Sequence, residues 1–424
     1  MNLTERLRGV VRPARAGGPE GSPLPLDERR GAPSGAPVDP DRAADLLGGE
    51  WREWQAHRYL VIDRRYPPGH RHGRVAVADS APGSSGAWPS LEILAPASGG
   101  RLLFLDLETT GLSGGAGTYA FLVGCGWFEG AAFRVRQFLL TGYAAERGLL
   151  EAVGETAAGA AAVATYNGKT FDLPVIDTRY LLHRMPTPFE GMPHVDMLHP
   201  ARRLWRGGSD PSTDHGGSCR LTAMEAEVLG HLREGDVPGL EIPSRYFHYV
   251  RSGDPRPLEA VLEHNRLDLL SLAMLTARLA QLLEEGPEAP ATAREALGLG
   301  RIYQRGSRPE EARACFARAA GLDGDDLARA EALRAYAILC RRARQHHDAA
   351  DAWRQLLELA ACPAHLAREA REALAVHCEH RLRDFRAARQ LAAVSLQCGG
   401  SAARAQAIRH RLARLDRKLA APLF

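Results

Sequence analysis

Two carboxylates, Asp106 and Glu108, stand two residues apart at the end of a short apolar run, residues 102–105, and are followed by Thr109, Thr110 and Gly111. A strand alternates its side chains, so both acids share one face. A run this apolar reads as a strand covered on both sides. Like charges at its end repel one another and resist loss of water. Divalent cations would remove that penalty, so the pair reads as half of a metal site; the plainer reading is a strand end with two solvated acids.

Two later stretches supply partners. In residues 165–174 (TYNGKTFDLP) a buried strand ends at Asn167 and Gly168, and Asp172 falls in the first turn of the next helix. The helix dipole favours a carboxylate there. In residues 264–268 (HNRLD), His264 and Asp268 are four apart on a helix and so share a face. The apolar stripe Val261, Leu262, Leu269, Leu272, Leu275 and Leu279 turns that face towards the rest of the domain. Asp106, Glu108, Asp172 and Asp268 would then converge on two cations. Paired metals roughly 3.5–4 Å apart stabilise the attacking and leaving oxygens of a phosphodiester together. Hard oxygen donors select Mg²⁺ or Mn²⁺ over Zn²⁺. A histidine at the rim, here His264, can take the proton of the attacking water.

These residues need elements to hold them. Residues 1–40 are rich in Pro, Gly and Arg without period and read as a disordered tail. Residues 41–100 read as an extension packing on the main domain, with a short helix over 44–54, a strand over 57–64 and a solvated polar turn at His70, Arg71 and His72. Residues 101–285 read as the main domain. Its first three strands (101–111, 119–128, 132–140) form antiparallel hairpins, with Arg134 and Arg136 on a solvated outer face. Helices over 144–162, 171–184 and 257–283 and a strand over 162–165 complete a mixed α/β sheet with flanking helices. Residues 207–218 read as a flexible loop, with Asp210, Asp214 and His215 solvated.

Residues 290–424 repeat. Ala312, Ala349 and Ala387 recur at intervals of 37 and 38, and Cys340 and Cys378 at 38. That period, with small residues at the close-packing point, describes an all-α array of helical hairpins.

Composition narrows the function classes. The chain has 424 residues, 45% hydrophobic and 25% charged, with a net charge of +3. No apolar run approaches the ~18 residues of a membrane span. The N-terminus lacks the apolar core of a signal peptide, so a cytoplasmic protein without membrane contact is expected. Seven cysteines without a C-x-x-C pair point to reduced thiols rather than zinc or redox motifs.

At FLDLETTGL, NGKTFDLP and HNRLD the chain resembles the three motifs of the DEDD (DnaQ-like) 3′–5′ exonucleases of the ribonuclease H-like fold. More narrowly it resembles the YprB-like bacterial proteins, which are also similar over residues 48–74 and 219–230 and in a tetratricopeptide-like tail. The resemblance implies an α/β ribonuclease H-like sheet followed by tetratricopeptide-like repeats. It implies Asp106, Glu108, Asp172 and Asp268 as ligands of two Mg²⁺ or Mn²⁺ ions, His264 as general base, and DNA or RNA ends as substrate. One departure stands out: His264 is separated from Asp268 by three residues, the spacing of the family's Tyr-type motif. Thr109, Asn167 and Lys169 are the candidates for substrate contact. The repeats would bind a protein partner or shape the nucleic-acid channel. The rival expectation is an inert nuclease-like scaffold acting through its repeats.

Overall fold

The computed structural model describes residues 40–83, 88–96, 100–111, 115–206, 218–397 and 401–420. The tail, apart from Pro40, and the loop with Asp210, Asp214 and His215 lie outside the described residues. The chain divides into two units, one running to Leu198 and including Arg220–Arg278, the other comprising His199–Cys219 and Leu279–Phe424.

The first unit is built on a seven-stranded mixed sheet. Its strands are β1 (Glu50–Trp54), β2 (His57–Tyr66), β5 (Arg101–Thr109), β6 (Ala120–Glu129), β7 (Ala132–Leu139), β8 (Ala160–Thr165) and β9 (His194–Asp196), in the order β1-β2-β7-β6-β5-β8-β9. A small hairpin, β3 (Arg71–His72) with β4 (Val75–Ala76), stands apart. β1, β2, β7, β6 and β5 pair antiparallel, and β8 and β9 add on in parallel beyond β5. The three central strands alternate or fully bury apolar residues, and Gly130, with φ +59°, turns β6 into β7. Helices α1 (Pro40–Leu47), α2 (Glu146–Ala157), α3 (Asp172–Leu182), α4 (Leu198–Leu204), α5 (Leu221–Met224), α6 (Ile242–Ser252) and α7 (Arg256–Glu285) follow in chain order, with α4 passing into the second unit at His199 and α7 at Leu279.

Three local expectations need correction. The helix expected over 44–54 stops at Leu47; Gly48 takes a left-handed φ of +66°, and residues 50–54 are strand β1. Trp54 faces α2, where its indole Nε1 donates to Glu151 at 2.8 Å. The turn at His70–His72 is not solvated throughout: His72 is buried, bonds Ser271 Oγ of α7 at 2.6 Å and stacks on His231. Arg134 and Arg136 are held in ion pairs with Glu129 and Asp63 rather than left to solvent.

The second unit is a run of helices: α8 (Ala293–Arg305), α9 (Pro309–Gly321), α10 (Asp326–Arg342), α11 (His346–Glu358), α12 (Ala364–His377), α13 (Phe385–Gln397) and α14 (Ala402–Ala420). Each packs on its neighbour. Ala312 and Ala349 are buried as their period expects, but in the third repeat the buried alanine is Ala388 rather than Ala387. A π-helical turn, Cys378–Leu382, precedes it and shifts the phase. Among the described residues no helix is long and apolar enough to cross a membrane.

Candidate active site

β5 delivers its two acids as the alternation requires. Leu105 and Leu107 are buried on one side, while Asp106 and Glu108 are half-buried on the other. Asp172, the first residue of α3, is tied to this strand because its Oδ1 accepts from the Leu107 amide at 3.2 Å. The turn before α3 is fixed by buried Asp196, whose carboxylate accepts from the amides of Asn167 (2.8 Å), Lys169 (3.1 Å) and Leu198 (3.1 Å). Asn167 holds a positive φ of 70° and accepts from Thr170 Oγ1 through its own side chain.

α7 brings the remaining groups over the sheet. Asn265 is fully buried and donates through Nδ2 to Asp106 Oδ2 at 2.8 Å. Its Oδ1 accepts from Gln137 Nε2 of β7, also at 2.8 Å. This chain fits only because Gly124 of β6 faces Asn265; a Cβ there would lie 2.8 Å from Asn265 Nδ2. One helical step away, His264 Nδ1 lies 2.7 Å from Asp236 Oδ1, and its Nε2 lies 3.7 Å from Asp268 Oδ2. Both ring nitrogens thus face a carboxylate, and Arg233 Nη1 lies 3.4 Å from Nδ1. The three-residue spacing therefore still sets His264 beside Asp268.

A cavity of ≈ 1180 Å³ gathers most of these groups, though Asp106 and Asn265 are not among its lining residues. Its lining includes Glu108, Asp172, Asp236, His264 and Asp268, with Thr109 at the same end and Phe171, Val237, Leu240 and Pro243 along the wall. Asn167 and Lys169 do not line it. Phe171 and Leu240 are exposed apolar side chains, 52% and 82% accessible, beside a charged floor.

The electrostatics show how crowded the floor is. Burial, then the charges of Asp268, Glu108 and Asp172, hold Asp106 well above the usual carboxylate range. Burial and the charges of Asp268, Asp172 and Asp236 do the same to Glu108. Asp172 is pushed up to about 7 by burial, against the Leu107 amide, with Asp196 and Asp268 adding to the rise. Asp268 is raised by burial although Arg233 works against it. Asp236 is lowered: burial opposes this, but the His264 bond and Arg233 outweigh it.

Four carboxylates that raise one another are chemically suited to a hard divalent cation. Among the described residues, however, no three such side chains are arranged to hold a metal ion as they stand. Asp268 is turned to Arg233. The donor chemistry fits a hard divalent cation.

The comparisons with known proteins bear on the same stretch. A family model described as RNase_H superfamily matches residues 103–280. YprB of Bacillus subtilis (strain 168), an uncharacterized protein, is 30% identical over 372 residues, covering 85% of this chain and 86% of YprB. The chain belongs to the RNase H superfamily. Its mixed sheet and flanking helices are those of the ribonuclease H-like fold, and membership points to a nuclease-type activity with nucleic acid as the ligand. Nucleases of the RNase H superfamily generally use divalent metal ions.

For this RNase H-like site we expect a pH signature. A carboxyl whose folded pKa is raised favours the fold when protonated, and that stability is lost as pH rises through the folded value. For Asp172 the window runs from its ordinary 3.8 to about 7. The melting temperature of metal-free protein should fall across this window, and Mn²⁺ should reverse the fall at the upper end. A flat profile with no Mn²⁺ response would show that the carboxylates do not repel as placed.

Four site residues were not assigned from sequence. Asn265 lies inside the HNRLD stretch, yet nothing in its spacing showed that it would reach Asp106. Asp236, Arg233 and Glu225 lie in residues 225–236, where charge carries no period. The one available signal was the density of charge between Gly230 and Gly239, which holds Arg233 and Asp236 but not Glu225.

Proposed function

We propose that the chain is a metal-dependent 3′–5′ exonuclease that hydrolyses phosphodiester bonds at single-stranded or frayed nucleic-acid ends. The observation that carries this is the convergence of Glu108, Asp172 and Asp268, from β5, α3 and α7, on one cleft beside the His264–Asp236 pair, with Asp106 behind the lining but close enough to feel all three charges. Those four carboxylates would hold two Mg²⁺ or Mn²⁺ ions. When bound, the metals supply charge stabilisation for the attacking and leaving oxygens.

The chain's own groups divide the remaining work. His264 Nε2 receives the proton of the attacking water, and Asp236 holds the Nδ1–H that keeps this nitrogen free. Asn265, braced by Gln137, fixes Asp106. The apolar wall at Phe171 and Leu240 offers a surface to the terminal base, since every base has a face that stacks. Thr109 stands where it meets the terminal sugar or phosphate. The tetratricopeptide-like helices carry the charge that the catalytic unit lacks: residues 290–424 have a net charge of +9, and the rest of the chain −6. That excess favours a phosphate backbone over a protein partner for the repeats, and implies binding that weakens with salt.

The inert-scaffold reading is weaker, because a scaffold has no need to keep four mutually repelling acids beside a histidine. The deciding assay is a digestion panel of end-labelled single- and double-stranded DNA and RNA with Mg²⁺ or Mn²⁺, using Asp106→Ala as the blank. Hydrolysis equal in protein and blank would remove the assignment. His264→Ala should slow hydrolysis by about 10²–10⁴ while leaving Mn²⁺ binding in place. An unchanged rate would transfer the proton to another acceptor.

A further inference from the structure

One arginine stands inside the acidic cluster. The Arg233 side chain is 4% exposed, and that of its partner Glu225 is 1% exposed. Arg233 Nε donates to Glu225 Oε2 at 2.8 Å, and Nη2 donates to Glu225 Oε1, so one edge of the guanidinium is gripped by both oxygens of a buried carboxylate. Its remaining donors reach the candidate active site. Nη2 also donates to Asp268 Oδ1, and Nη1 donates to Asp236 Oδ2 at 3.1 Å. Asp236 presents its other oxygen to His264. One rigid fork thus touches a metal-ligand candidate and the residue that orients the base.

The placement has two physical consequences. A planar guanidinium with five fixed donors sets the angle between groups in a way an ammonium cannot. It is also a permanent positive charge. Bonded to Asp268 Oδ1, it leaves one oxygen of that carboxylate for a cation and repels any cation that approaches. Both effects follow from geometry, because Glu225 keeps Arg233 from swinging out.

We propose that Arg233 is an internal countercharge and positioning residue: it holds Asp268 and the Asp236–His264 pair in register, and it weakens the grip of Asp268 on metal. This rests on the exonuclease reading for its effect on turnover, but its effect on metal affinity stands apart from activity. A site tempered in this way takes up its full metal complement most readily when substrate phosphate adds negative charge.

The test is Mn²⁺ titration of the full chain, followed by paramagnetic resonance without substrate, on wild type, Arg233→Gln and Arg233→Lys. Arg233→Gln should bind Mn²⁺ about tenfold more tightly and yet turn over oligonucleotide at least about tenfold more slowly, with KM little changed. Damage to the fold would weaken both. Arg233→Lys should keep wild-type Mn²⁺ affinity, because the charge remains, but lose turnover, because the fork is gone. Arg233→Gln strands the buried Glu225, so Glu225→Gln/Arg233→Gln serves as the second variant, with melting curves to verify folding; it should also bind Mn²⁺ more tightly. Unchanged or weaker Mn²⁺ binding in the folded double variant would overturn the countercharge. Wild-type turnover in Arg233→Lys would overturn the positioning role. A wild type that binds Mn²⁺ but hydrolyses nothing would count against the exonuclease reading, while the Mn²⁺ comparison would still decide the countercharge.

Discussion

Asp106→Asn should abolish metal-dependent hydrolysis, lowering the rate by on the order of a thousandfold or more, while the fold stays intact. Asp106 sits at the centre of the charge pattern, repelled by Asp268, Glu108 and Asp172 together. In the proposed reaction it would be the carboxylate shared between the two cations. The asparagine is nearly isosteric, and its side-chain oxygen can still accept from Asn265 Nδ2, so local packing has no reason to fail. Stability should rise at neutral pH. Asp106 has a folded pKa above its ordinary value, so its ionised form opposes folding there, and a neutral amide removes that opposition. The check is a hydrolysis rate and a melting curve on the same preparation. Activity within about tenfold of wild type, in a protein that melts no lower, would detach Asp106 from catalysis.

Gly124→Ala should be the most damaging single methyl group in the sheet. Gly124 pairs with Asp106 across β5 and β6, and it faces Asn265 on α7. A Cβ at that position would come 2.8 Å from Asn265 Nδ2 and 2.8 Å from Leu269 Cδ1. Both neighbours are side-chain ends on a buried helix face, so accommodating the methyl means turning the Asn265 amide away and displacing Leu269. Overpacking of this kind costs about 1–3 kcal/mol. The larger consequence is chemical: the Gln137–Asn265–Asp106 chain breaks and Asp106 loses the group that holds it. A displacement near 1 Å in a catalytic group costs about a hundredfold in rate. Urea unfolding and hydrolysis rates measure the two losses separately. Asn265→Ala added to Gly124→Ala should restore much of the stability and none of the activity. Recovery of both would show that Asn265 does not position Asp106.

The parts of the site that were legible in the sequence are those governed by local geometry. Asp106 and Glu108 share a face because a strand alternates, and the structure places them so. His264 and Asp268 share a face because a helix repeats near four, and their side chains stand 3.7 Å apart. Asp172 starts a helix, where its charge meets the dipole. The misread segments were those where two local rules compete. Residues 50–54 have the three-residue tryptophan spacing of a helix face, but the chain breaks at left-handed Gly48 and these residues pair with β2 instead. His72 is polar in a turn-like sequence, yet Ser271 buries and bonds it. No local pattern encodes a partner 199 residues away.

By itself the sequence determined which chemistry was available: four carboxylates and a histidine, on a strand end and two helix faces, with an all-α array behind them. Only the tertiary structure decided how that chemistry is restrained. It selected Asn265 to hold Asp106, Asp236 to hold His264, and Arg233 to stand between Asp236 and Asp268. The physical reason is distance along the chain. Periodicity reports on neighbours three or four residues apart, whereas these contacts join residues 28, 35 and 159 positions apart. Their energy comes from shared burial, which exists only once the sheet and α7 have packed.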